Sequence, residues 1–230
     1  MAALQAQQFI ERSPLYRQQA GATLGRLGDS VIVAHYGEHD ESPQLQRCAL
    51  LDLTNLARVG FRGAAAAEYL LERGYQLPEA SNRALTQSDG SHVARLSQTE
   101  YLLLGSLRDA GARIAAEEAD WQFDAAASET ANYLLPRQDS HAWLLLTGEC
   151  IAEVMAKLCG VDLRAEAFPV GAVAQTSAAR INVIVVNLPE GELPCFQILC
   201  DRASVAYFWD ALLDAMTEFG GQPAGIDALL

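Results

Sequence analysis

The chain has 230 residues, 50% of them hydrophobic and 7% aromatic, with a mean hydropathy of +0.06. That supports one large globular domain or two small packed ones and excludes a disordered chain. A net charge of −13 argues against a nucleic-acid partner, because phosphate binding runs on Lys and Arg, and no apolar run reaches the roughly 18–20 residues of a membrane helix.

Met1 to Ile10 lacks the basic and apolar blocks of a secretory signal, so a cytoplasmic address is expected. From Ala57 the residues alternate as a strand up to Gly63. Ala64 to Arg73 then reads as a helix with an apolar edge, stopped at Gly74. His92 to Leu96 and Tyr101 to Gly105 form a strand pair, preceded by Asp89-Gly90, which reads as a tight hairpin turn. Leu107 to Gln138 is rich in Ala and Glu. A solvated start at Asp109, Gly111 and Glu117-Glu118 is expected there, then a strand at Trp121 to Ala125, with Pro136 marking the entry to a second unit.

The second unit repeats the pattern. His141 to Gly148 is a strand, and Glu149 to Cys159 a helix with Ile151, Val154, Met155 and Leu158 at i, i+3, i+4 and i+7. Ile181 to Leu188 and Phe196 to Cys200 form the second strand pair. Gly63 and Gly148 lie 85 positions apart, and the same offset aligns Ala67-Glu68 with Ala152-Glu153 and Arg95 with Arg180. Strand, helix and two strands, twice over, predict an α+β fold with mainly antiparallel sheet. The expected divisions are a first unit at 1–106, a connecting segment at 107–138 and a second unit at 139–230. Last comes a helix whose apolar stripe is Val205, Phe208, Trp209, Leu212, Leu213, Met216 and Phe219, with Asp201 or Ser204 to cap it and Gly220 to stop it.

Signals for familiar chemistry are weak. The five cysteines contain no CxxC pair and read as small buried hydrophobes in a reducing compartment. His35 and His39 have i, i+4 spacing, but they flank a Tyr-Gly turn without the Glu of a zincin helix, so no metal is expected. No G-x-G-x-x-G opens a helix, and Gly21 to Gly28 has the wrong spacing for a dinucleotide site. Ser177 beside Arg180 has no evident base.

Several segments carry a family likeness. Ser13-Pro14-Leu15-Tyr16, the stretch Gly28 to Tyr36, and Cys48-Ala49-Leu50-Leu51-Asp52-Leu53-Thr54-Asn55-Leu56 resemble the opening of aminomethyltransferase-type proteins. So do Arg58 to Leu71, Tyr101 to Leu104, and Phe196-Gln197-Ile198 with Phe208-Trp209-Asp210-Ala211-Leu212. Leu146-Thr147-Gly148, Asp162-Leu163, Phe168-Pro169 with Gly171, and Ala174-Gln175-Thr176 are similar to the gamma subunit of heterotetrameric sarcosine oxidase. The resemblance implies duplicated ferredoxin-like units around a central pocket. In the glycine-cleavage aminomethyltransferases that pocket holds tetrahydrofolate, and a C-terminal barrel domain follows it. With Leu230 as the last residue, that barrel is expected to be lacking.

The same resemblance implies lost chemistry. The family's Asp pair before a strand matches Ser88-Asp89-Gly90-Ser91-His92, which holds no pair. Its pterin-binding Glu falls on Gln197, a neutral amide; its Arg near the folate glutamate falls on Leu230; its SHM methionine becomes Leu56, while Tyr36 is retained. The expectation is therefore a non-catalytic gamma-like subunit, in one-carbon and folate metabolism, of a sarcosine or N-methyl amino acid oxidase. Flavin would be carried by alpha- and beta-type flavoprotein partners. The alternative is a stand-alone tetrahydrofolate-binding protein whose pocket would draw on Tyr36, Asp89, His92, Arg180 and Gln197. Arg95 and Arg180 read either as anion contacts or as salt-bridge partners.

Overall fold

The computed structural model describes residues 4–5, 9, 11–122 and 131–230. A hairpin of β1 (Thr23–Leu27) and β2 (Ser30–His35) turns at Gly28-Asp29, where Gly28 takes φ 58°. Helix α1 (Ser42–Arg47) leads into β3 (Ala49–Asp52). Next come β4 (Arg58–Arg62), α2 (Ala66–Glu72), β5 (Arg83–Thr86), β6 (His92–Arg95), β7 (Glu100–Leu104), α3 (Ala112–Asp120) and β8 (Tyr133–Leu135). One helical turn, α4 (Arg137–Ser140), returns the chain to β9 (His141–Thr147), α5 (Ile151–Ala156), β10 (Val173–Ala178), β11 (Ile181–Asn187) and β12 (Cys195–Asp201). Helix α6 (Val205–Met216) and the short β13 (Gln222–Pro223) follow.

Beyond the β1–β2 hairpin, the strands form two sheets, ordered β5-β6-β7-β4-β8 and β10-β11-β12-β9-β3-β13. All pairings are antiparallel except β13 on β3. The protein is thus α+β with mainly antiparallel sheet, as the periodicity predicts.

Four layers follow from which side chains each strand offers to each face. Strand β9 is apolar from Ala142 to Leu146 because it is central and covered on both sides. Its Ala142, Leu144 and Leu146 pack with Ile198 and Cys200 of β12 under α5 and α6, through Val154, Met155, Phe208, Trp209 and Leu212. Trp143 and Leu145 point the other way, into a core between the sheets shared with Ala94, Leu102 and Leu104. On the far side of the five-stranded sheet, Val59, Phe61, Val93 and Leu103 meet Leu70 of α2 and Ile114 of α3. At one side the sheet edges join: Ala84 N donates to Gly171 O at 2.8 Å and Val173 N to Asn82 O at 3.0 Å.

Three expectations need correction. Each sheet has a strand beyond the anticipated pair, β5 and β10, and both are edge strands with short or exposed apolar patterns. The segment read as a solvated start is helix α3. Asp109 accepts from the N–H groups of Gly111 and Arg113 at its start, and Ala-Glu propensity sustains it although Ile114 alone is buried. The strand expected at Trp121 to Ala125 is not regular at residues 121–122, and the rest of it lies outside the described residues; β8 was not anticipated at all. Helix α6 starts and stops as predicted, with a 3-10 turn at Thr217–Phe219 before Gly220 at φ 64°. Among the described residues, no helix is long and apolar enough to cross a membrane.

The chain passes between the two large sheets twice, from β3 to β4 and from β8 to β9. Arg58, 0% exposed at the start of β4, holds both passages. Its Nη1 donates to the carbonyls of Thr54 (2.6 Å) and Leu56 (3.0 Å), its Nη2 to that of Gln138 (3.2 Å), and its Nε to that of His141 (3.0 Å). Burial and then repulsion from Arg202 bring its pKa down to about 9, which still leaves a cation at neutral pH. Replacing Arg58 with Ala removes the donor from the buried carbonyls of Thr54 and Leu56 and is expected to cost about 3 kcal/mol or more. Thermal unfolding checks this: a Tm lower by roughly 6–12 °C is expected, and an unchanged Tm would refute the role.

Candidate functional site

A chain of polar side chains crosses the core between the sheets. Gln197 on β12 is 0% exposed, flanked on its face by Cys195 and Leu199. Its Oε1 accepts the indole N–H of Trp143 at 2.8 Å, and its Nε2 donates to Glu190 Oε1 at 3.0 Å. The same Glu190 oxygen lies 3.2 Å from Nε2 of His92, a β6 residue that is 2% exposed, and Thr86 Oγ1 lies 3.1 Å from the other ring nitrogen. Trp143, Gln197, Glu190, His92 and Thr86 thus link the two sheets with every buried polar group paired, the condition for placing such groups in a core without a large penalty. Glu190, absent from the sequence-based candidates, is the centre of this cluster. It stands in the β11–β12 turn, where a Pro-Glu-Gly-Glu run gives no signal of an inward carboxylate.

Of the five candidates, the structure brings only His92 and Gln197 together. Tyr36, at the end of β2, belongs to another neighbourhood. Its N–H donates to Glu41 Oε1 at 2.5 Å, and burial, with the nearby charges of Asp52 and Glu41, pushes its hydroxyl pKa above the ordinary tyrosine value. Arg180 is exposed in the two-residue turn between β10 and β11, at φ 69°. Arg95 donates to the carbonyls of Glu79 (2.8 Å), Gln98 (3.0 Å) and Pro78 (3.2 Å), and among the described residues it forms no salt bridge.

Asp89 sits in the β5–β6 turn. One oxygen accepts from the N–H and hydroxyl of Ser91, and the other from Arg113 Nη1 at 2.6 Å. Burial alone raises its pKa, but the hydrogen bonds from Arg113 and Ser91 outweigh it and bring the value down to about 2. At neutral pH it is a carboxylate held by an arginine, with no proton to donate.

A buried carboxylate organises the N-terminal segment. Asp52 at the end of β3 accepts from the Ser13 hydroxyl, from Gln19 Nε2 at 2.6 Å and from Thr54 N at 2.9 Å. The cavity beside it, bordered by Tyr16 and Asn55, measures about 20 Å³, room for a water and no more. Among the described residues, no three His, Cys, Asp or Glu side chains are grouped to hold a metal.

No family model and no curated protein matches the sequence. Solved structures do match. A chain of the heterotetrameric sarcosine oxidase from Corynebacterium sp. U-96, in complex with pyrrole 2-carboxylate, is 22% identical with a TM-score of 0.62, over 92% of this chain and 97% of that one. The glycine cleavage system aminomethyltransferase T from Bartonella henselae is 16% identical with a TM-score of 0.71, over 96% of this chain. The fold is shared with both proteins. This agrees with the resemblance carried by the sequence motifs. The present chain spans 61% of the aminomethyltransferase T chain and nearly all of the sarcosine oxidase chain.

The Asp89 clamp has a testable pH signature. Its folded pKa lies below the value of about 3.9 for an unfolded aspartate, so its stabilisation is complete above that value and disappears as pH falls toward about 2. Asp89→Asn is therefore expected to lower Tm at pH 7 and to leave Tm close to that of the parent at pH 2. An equal deficit at both pH values would contradict the clamp.

Proposed function

We propose that this chain is a non-catalytic, gamma-like subunit of a heteromeric oxidase acting on sarcosine or another N-methyl amino acid, within one-carbon and folate metabolism. The observation that carries this reading is the filled centre between the sheets. Gln197, on which the family's pterin-binding position falls, has both amide atoms engaged by Trp143 and Glu190 and is fully buried. Asp89, the carboxylate nearest the family's acid pair in sequence, is clamped by Arg113. Neither is free to serve a reacting pterin, so turnover, flavin and a working folate site are assigned to alpha- and beta-type flavoprotein partners. Matching lengths with a chain of the heterotetrameric oxidase also support this reading. The higher TM-score to aminomethyltransferase T favours the alternative, a stand-alone tetrahydrofolate-binding protein.

Within this reading the two large sheets are a duplicated ferredoxin-like unit, the first at residues 1–106 and the second at 139–230, joined by 107–138. The support is that β5-β6-β7-β4 and β10-β11-β12-β9 follow one order, each with a helix after the strand that enters it first. Strand β3 adds to the sheet of the second unit. A cytoplasmic location suits five free thiols, four of them buried and Cys150 partly exposed.

Purification of the tagged chain from its native host at low salt tests the assignment. A yellow preparation containing larger flavoprotein chains is expected, and Asp89→Ala within that complex should leave amine turnover within about 2-fold. A colourless lone chain, or a loss of 100-fold or more with Asp89→Ala, would contradict it.

A further inference from the structure

We infer that His92 and Gln197 form a carboxylate-binding site, which the protein fills with its own Glu190. Two buried N–H donors, Gln197 Nε2 and His92 Nε2, converge on the single oxygen Glu190 Oε1 at 3.0 and 3.2 Å. The polarity of Gln197 is set from behind. The indole N–H of Trp143 can only donate, so Gln197 turns its carbonyl oxygen to Trp143 and its amide N–H to the site. A carboxylate oxygen can only accept, so the imidazole nitrogen that faces Glu190, Nε2, carries the proton, and in that neutral tautomer Nδ1 accepts from the Thr86 hydroxyl. A fixed pair of donors in a core of low dielectric selects an anionic acceptor oxygen and rejects ammonium and amide N–H groups.

The occupant, unlike its binding site, is reachable from solvent. The Glu190 side chain is 26% exposed and that of His92 3% exposed. It is delivered by a two-residue turn in which Glu190 and Leu193 exchange both backbone hydrogen bonds, with Gly191 at φ 62°. The path of the Glu190 side chain is therefore a ready entry for a small monocarboxylate once that side chain is withdrawn. The site stands independently of any oxidase assembly, because all of its groups belong to this chain.

Truncation with chemical replacement tests it. In chloride, Glu190→Ala leaves two buried donors unpaired, and Tm is expected to fall by roughly 4–8 °C. Sodium acetate at the same ionic strength should recover at least half of that loss, because a ligand that binds only the folded state stabilises it. Acetate should do nothing for the parent chain or for Glu190→Ala/Gln197→Leu. Equal Tm values of Glu190→Ala in the two salts would overturn the site, as would an acetate effect that persists in the double variant or appears equally in the parent. Should Glu190→Ala not stay folded in chloride, its refolding yield in the two salts decides the matter: recovery in acetate alone supports the site, and equal yields overturn it.

Discussion

The guanidinium of Arg58 lies where the chain leaves the six-stranded sheet and where it returns to it, and it donates to backbone carbonyls of both passages. Two of those carbonyls, of Thr54 and Leu56, are buried in the β3–β4 connection outside any strand ladder, where a polar group needs a partner. A cation in such a place carries a desolvation cost that only several well-aimed acceptors offset. Arg58 bridges both crossings, with Arg202 also on the Gln138 carbonyl and the Thr54 hydroxyl accepting from Trp143 N, and so helps set the register in which the two sheets meet. The core between them, from Trp143 and Leu145 to Leu102 and Leu104, depends on that register.

Within this core the polar cluster of Trp143, Gln197, Glu190, His92 and Thr86 occupies the position from which the resemblance to aminomethyltransferases would have a pterin recognised. Both amide atoms of Gln197 and both ring nitrogens of His92 already have partners inside the protein. An open folate pocket needs a few convergent polar groups with free valences facing a cavity. Here the convergent groups exist, and a carboxylate of the same chain satisfies them. The amide of Gln197 is thus matched by a carboxylate from the neighbouring turn, Glu190.

Most of the regular structure was legible because it rests on periodicity. The run around Leu144, the stripe on α6 and the glycine stops at Gly63, Gly148 and Gly220 each carry their own signal. Strands β5 and β10 were not legible: they lie at sheet edges with one buried residue among exposed ones, or with polar alternation only. The β10–β11 turn is Ala179-Arg180, both at positive φ, where a hairpin signal would ordinarily be Asn-Gly. The site was half legible. His92 and Gln197 were marked by family position, whereas Glu190 and Arg58 become visible only when distant segments are brought together. Tyr36, Asp89 and Arg180 share a motif list but not a place in the fold.

The most direct measurement is equilibrium dialysis of tetrahydrofolate against the isolated chain. A filled core between the sheets predicts no saturable binding. Stoichiometric binding that disappears in Gln197→Leu would contradict the account, because it would mean that the centre opens and still recognises a pterin.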